Sequence, residues 1–218
     1  MAADFLIKAI KKITTMVAAG VLSFAGVYAT RIMDSVSVDT SFDFYLVGVQ
    51  AGEVKASAEQ VRLDGGAGYI WDDNVVFSVY FQVEEAETIC KNIQGQYPKA
   101  TVLTYSSKEV VVPKSTKGNT IEMLKNLYVH IWHFADVANG LDDGLTQEKA
   151  RSRLESLKKS FETLKKLYIG RKETVDLCET VCRWIEEKKE EVLFSQEIRF
   201  ETCVVTEAFL KLIESQSL

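Results

Sequence analysis

The chain has 218 residues, of which 47% are hydrophobic, and this is enough for one or two small domains with apolar cores. Its net charge is −5, which argues against a nucleic-acid-binding protein, since such proteins normally present a strongly basic surface. Proline occurs only 2 times, which argues against long disordered linkers.

The first distinctive segment is an uncharged run near the N-terminus, residues 13–30. A run of about 18 residues is the lower limit for a helix that crosses a hydrocarbon core of roughly 30 Å. Lys8, Lys11 and Lys12 precede it, and cationic residues stay on the cytoplasmic side of a membrane. We therefore expect a single-pass transmembrane helix within residues 1–31, with a cytoplasmic N-terminus and the rest of the chain outside the cell membrane.

Two other interpretations of this run stay open. Val27-Tyr28-Ala29 resembles the small-residue cleavage site of a signal peptide. Polar residues such as Thr14 and Ser23 also make the run only moderately apolar, as in a buried helix of a folded domain. If the run is a membrane helix, Ala19 and Ser23 form a small-x-x-x-small pair that would allow packing into a homo-oligomer.

Residues 42–112 show a mixture of strand and helix patterns that predicts an α+β domain. Aromatic and β-branched residues mark the strands, and the polar turn Asp72-Asp73-Asn74 separates two of them into a hairpin. The predicted order is a strand at 42–50, a helix at 57–63, strands at 68–71 and 75–81, a helix at 84–94 and a strand at 100–105.

Residues 119–218 form the third predicted domain, which has helical periodicity throughout. Leu154, Leu157 and Phe161 follow one another at spacings of three and four, as in an amphipathic helix. Short breaks between such helices favour an antiparallel α-helical bundle. We expect helices at 120–138, 146–168, 172–192 and 196–215, joined to the preceding domain through residues 114–118.

The strand and helix order of residues 42–112, together with short motifs, resembles the SPOR domain (the sporulation-related repeat). Val49-Gln50-Ala51-Gly52 stands where that family commonly has Val-Gln-x-Gly in its first strand. Residues 84–89 resemble its second helix, and residues 101–103 its last strand. The resemblance implies a βαββαβ module that binds septal peptidoglycan.

Sugar binding by such a sheet would use aromatic rings, which stack on sugars, and amides, which hydrogen-bond to hydroxyl and acetamido groups. Gln50, Tyr69, Trp71 and Tyr80 are therefore the candidate glycan-binding residues. The competing interpretation is core packing, because alternation sends about half of a strand's side chains inward.

The sequence predicts no catalytic, metal or cofactor site. His130 and His133 could place two ligands on one helix face, with Asp136 as a third, but no wider ligand motif accompanies them. The chain also has no nucleophile motif and no phosphate-binding loop. We therefore expect a protein that is not an enzyme.

The four cysteines lack the spacing of a zinc site. Cys178 and Cys182 share one face of a predicted helix with apolar residues, so we interpret them as core residues. A disulfide from either one to Cys203 would require an extracellular domain.

These observations predict a non-catalytic envelope protein that binds peptidoglycan or a partner protein in sporulation or cell division. The alternative is a structural protein–protein interaction module with a degenerate SPOR-like fold and no glycan binding. This alternative arises because residues 79–82 lack the glycine that the family often has after its third strand.

Overall fold

Four strands and six helices make up the fold in the computed structural model, which describes residues 35–50 and 54–216. A short 3-10 helix, Lys114–Thr116, precedes the third helix. The elements are β1 (Ser35–Gln50), α1 (Val54–Leu63), β2 (Tyr69–Trp71), β3 (Asn74–Tyr80), α2 (Val83–Ile93), β4 (Ala100–Pro113), α3 (Lys117–Asp142), α4 (Gln147–Leu167), α5 (Lys172–Glu187) and α6 (Ser195–Gln216).

The strands form one antiparallel sheet in the order β2-β3-β1-β4, with β1 at its centre. Leu46 of β1 lies opposite Val79 on one side and Leu103 on the other. The register of β1 shifts against β4 between Asp39 and Phe42, and such bulges increase the local twist of a strand pair. Both strands continue beyond this shift as a two-stranded extension.

Helices α1 and α2 cover one face of the sheet. Val47, Val75 and Phe77 of the strands pack there against Val61 of α1 and Cys90 of α2. The α1–β2 connection allows this close approach because it contains glycines. A Cβ atom at Gly68 would lie 2.4 Å from the backbone oxygen of Ala58, and Gly68 has a φ of +61°, which favours glycine.

Helices α3 and α6 cover the opposite face of the sheet. Phe42 and Phe44 point from β1 towards Phe209 of α6, with ring centroids 5.4 and 5.8 Å away. Tyr128 of α3 completes this aromatic cluster and donates a hydrogen bond of 2.8 Å to the backbone oxygen of Asp43. The sheet therefore lies between two helical layers, and its core is continuous with that of the helical half.

The four C-terminal helices pack as a bundle in which α3 contacts α4, α4 contacts α5, α5 contacts α6 and α6 returns to α3. Leu154, Leu157 and Phe161 form the buried stripe of α4. Thr146 caps the N-terminus of this helix by accepting a hydrogen bond from the backbone nitrogen of Lys149. Helices α4 and α5 form the side of the bundle that faces away from the sheet.

The predicted fold class requires one correction, because it included a transmembrane helix. Within residues 35–50 and 54–216, no helix combines the length and the apolar character needed to cross a membrane. The physical reason is amphipathicity: even the longest helix, α3, with 26 residues, carries charged side chains such as Lys125 and Asp136 along its outer face. The segment predicted to span the membrane, residues 13–30, lies outside the described residues.

Candidate functional site

The structure places two of the four predicted glycan-binding residues beneath α6. Tyr69 is half-buried, with its ring 5.3 Å from that of Phe200, and its hydroxyl donates a hydrogen bond to the Glu207 carboxylate. Trp71 is only 8% exposed and packs beside Tyr69. Helix α6 therefore occupies the sheet face on which a sugar would have to lie.

The other two predicted residues lie elsewhere. Gln50 is exposed at the end of β1. Tyr80 is 3% exposed and packs in the core between the sheet and α2, on the face opposite Trp71. The structure thus does not bring the four side chains together on one exposed surface, because the helical half covers the face of Tyr69 and Trp71 while Tyr80 lies on the other face.

A cleft between α2 and α3 is the better candidate site. It has a volume of about 470 Å³. Its rim carries the carboxylates of five residues, and Tyr80 and Arg199 also line it. The five are Glu84 and Glu85 from α2, Asp136 and Asp142 from α3, and Asp143, which follows α3 directly.

The rim carries negative charge that is only partly neutralised. Burial raises the pKa of Glu85, and the charges of Asp136 and Glu84 raise it further, so carboxylates of α2 and α3 repel one another across the cleft. Asp136 lies 3.5 Å from Arg153, but both side chains are about half exposed and such pairs are weak. In the described part of the chain, neither Glu84 nor Glu85 forms a salt bridge.

Arg199 of α6 reaches the bottom of this cleft, where it is 6% exposed. One guanidinium nitrogen donates a 2.6 Å hydrogen bond to the backbone oxygen of Gly65, and another forms an ion pair with Asp142. These contacts fix the guanidinium between the end of α3 and the α1–β2 connection. The Nε atom of Arg199 is buried and has no hydrogen-bond partner.

The Tyr80 hydroxyl is the second buried polar group at the bottom of the cleft without a hydrogen-bond partner. Burial raises its pKa, whereas the Arg199 charge and the Ser78 side chain oppose the shift. The phenol is therefore neutral at physiological pH. Leaving a buried hydroxyl unpaired costs about 1–3 kcal/mol, so its position beside a cleft indicates a place for a ligand.

The two histidines are not brought together with further metal ligands. His130 is half-buried against Phe161, and burial lowers its pKa. His133 is exposed and stacks on Trp132. Across the residues that the structure describes, no group of three or more histidine, cysteine, aspartate or glutamate side chains has the arrangement of a metal site.

The four cysteines are free thiols. Burial raises the pKa of Cys178 to about 12 and also raises that of Cys203. These thiols are therefore protonated and unreactive, as expected for apolar core residues, and no disulfide links α5 to Cys203.

No known protein family, no curated protein sequence and no solved structure matches this chain. The resemblance to the SPOR family therefore stays a prediction from the order of strands and helices and from short motifs. Sequence reasoning also missed the cleft, because each of its parts has an ordinary local explanation. Glu84 and Glu85 lie in the first turn of α2, where acidic residues complement the helix dipole, and Arg199 is a single arginine without a motif.

Proposed function

We propose that this protein is a non-catalytic interaction protein that binds a partner protein through the cleft between α2 and α3. The observation that carries the proposal is the pair of unpartnered buried groups, Tyr80 Oη and Arg199 Nε, at the bottom of a cleft lined by carboxylates. A bound partner would give both groups the hydrogen bonds that they lack.

The chemistry of the cleft supports binding rather than catalysis. The pKa of Tyr80 is raised, which makes its hydroxyl a poor nucleophile and a poor base. Among the described residues, burial and neighbouring charges act on the Glu85 carboxylate, and no hydrogen bond orients it for proton transfer. Arg199 is already held by Asp142 and Gly65, so its remaining Nε–H can orient a ligand but cannot move a proton.

The proposal corresponds to the interaction-module alternative rather than to peptidoglycan binding. Tyr69 and Trp71 lie under α6, so glycan binding at these rings would require α6 to leave the sheet. An envelope location and a role in sporulation or cell division stay predictions of the sequence.

Site-specific photo-crosslinking in the native cell tests this function. Benzoylphenylalanine is placed at Thr88, which lines the cleft, or at Lys91, an exposed position of the same helix outside it. We expect one protein adduct from position 88 and none from position 91. The purified adduct partner should bind the Glu85→Gln variant more weakly than the wild type, whereas Glu87→Gln, on the same helix but outside the cleft, should bind normally.

Two results would contradict the proposal. The first is equal crosslinking from positions 88 and 91, which would show that the cleft is not the binding site. The second is co-sedimentation of the protein with purified peptidoglycan, without a protein adduct at position 88. That result would favour the glycan-binding function.

A further inference from the structure

The rim of the cleft selects the charge of a ligand. Five carboxylates lie at or near the rim, while Arg199 and Arg153 are the guanidinium groups paired with two of them. Glu84 and Glu85 have no ion-pair partner among the described residues. Coulombic repulsion therefore disfavours a carboxylate or phosphate ligand, whereas an ammonium or guanidinium group would relieve the repulsion between α2 and α3.

The bottom of the cleft, here called its floor, is formed by Tyr80 and Arg199 and favours a hydrogen-bond acceptor. Arg199 Nε–H can only donate a hydrogen bond, and the Tyr80 hydroxyl can donate one as well. Both atoms are buried and have no hydrogen-bond partner among the described residues, which is uncommon for buried polar groups. The floor therefore suits a neutral acceptor, such as a peptide carbonyl, which the carboxylate rim does not repel.

A peptide with a basic side chain carries a cation for the rim and a backbone carbonyl for the floor within one residue. We propose that the cleft binds a lysine- or arginine-containing segment of the partner, with its cation between Glu84 and Glu85 of α2 and Asp136 of α3, and a backbone carbonyl on Tyr80 and Arg199. This inference rests on the proposed function and adds the chemical class of the ligand. A polyamine or a metal ion would satisfy the rim alone, and a neutral peptide the floor alone.

Three small probes separate these contributions on the full-length protein. N-acetyl-lysine N-methylamide offers both the cation and the carbonyl groups, butylammonium offers only the cation, and N-acetyl-norleucine N-methylamide offers only the carbonyl groups. Binding is followed through the backbone amide NMR signals of Thr88 and Ile89, which line the cleft. We expect the lysine compound to bind at least about 10-fold more tightly than either of the other two, since each lacks one set of hydrogen bonds.

Variants assign each contribution to its residue. Tyr80→Phe should weaken binding of the lysine compound about 3- to 10-fold and leave butylammonium unaffected, because it removes only the hydroxyl. It also removes an unpaired buried group while keeping the ring, so the variant should fold at least as stably as the wild type. Glu85→Gln should weaken binding of both cations, whereas Glu87→Gln should change neither.

These experiments distinguish a wrong ligand class from a wrong proposed function. Equal affinity for butylammonium and the lysine compound would show that the floor does not contribute to binding. Equal affinity for the norleucine and lysine compounds would show that the rim does not contribute. Either result overturns the inference. If no probe binds but Thr88 still crosslinks to a partner, the ligand class is wrong and the proposed function stands. If the crosslink also fails, the proposed function is wrong as well.

Discussion

Glu201 of α6 is the residue whose ionisation most clearly opposes folding. It is 8% exposed, and burial raises its pKa to about 7; Arg183 opposes this shift, and the negative charge of Glu187 adds to it. The unfolded carboxyl has an ordinary pKa of 4.5. Between these two values the folded state binds more protons than the unfolded state, so the free energy of unfolding falls as pH rises through this window.

We expect Glu201→Gln to remove this pH dependence. At pH 8 the variant should be more stable than the wild type by about 3 kcal/mol, since a pKa difference of this size corresponds to roughly that free energy. At pH 4 the two proteins should have nearly the same stability, because Glu201 is then protonated in both states. Urea unfolding at the two pH values measures the difference, with the exposed Glu173→Gln as control. Parallel pH profiles for the wild type and Glu201→Gln would contradict this assignment.

At the scale of single elements, α6 shows what periodicity can and cannot predict. The apolar spacing placed a helix at 196–215, and the structure has it at Ser195–Gln216. The pattern does not say what an apolar face packs against. Helix α6 contacts α3 and α5 on one side. On the other side it contacts the sheet through Phe209 and Glu207, and the α1–β2 connection through Arg199. The packing of α6 against the sheet could not be predicted, because the residues that α6 contacts there are distant from it in the sequence.

Phe209→Ala should therefore destabilise the sheet and the bundle together. Phe209 is fully buried against Phe42 and Phe44, and removing such a ring lowers the free energy of unfolding by about 3–5 kcal/mol. Phe194→Ala is the matched control, because that ring is 50% exposed and its removal should change stability by less than about 1 kcal/mol. Chemical denaturation of the three proteins gives the comparison, and similar losses for the two variants would refute the packing role.

At the scale of the whole molecule, the sequence predicted the order of local elements better than their assembly. Alternation and turn residues identified the hairpin, but the extensions of β1 back to Ser35 and of β4 on to Pro113 were missed. Residues 35–39 do alternate between polar and apolar, yet the serines and Asp39 gave a weaker strand signal than the aromatic run after them. The cleft was not predictable, since α2 and α3 meet only through the tertiary fold.

The coverage of the sheet by α3 and α6 has a consequence for folding. A separate SPOR-like module would be expected to fold without the bundle, but Phe42, Phe44 and Leu46 are buried in the core that the sheet shares with the helices. A fragment of residues 35–113 would expose this apolar face to water. Burial of a phenylalanine or leucine side chain contributes about 1.5–3 kcal/mol, so the loss for these residues approaches the total stability of a small domain.

We therefore expect residues 35–113 alone to lack a cooperative unfolding transition. In the full chain, amide hydrogen exchange at Leu46 of the sheet and Leu124 of α3 should report the same free energy of opening, because both residues lie in one core. A dispersed NMR spectrum and cooperative unfolding of the fragment would contradict this expectation. In that case the contact between α6 and the sheet would be a docking of two autonomous domains, and the face carrying Tyr69 and Trp71 could open for a ligand.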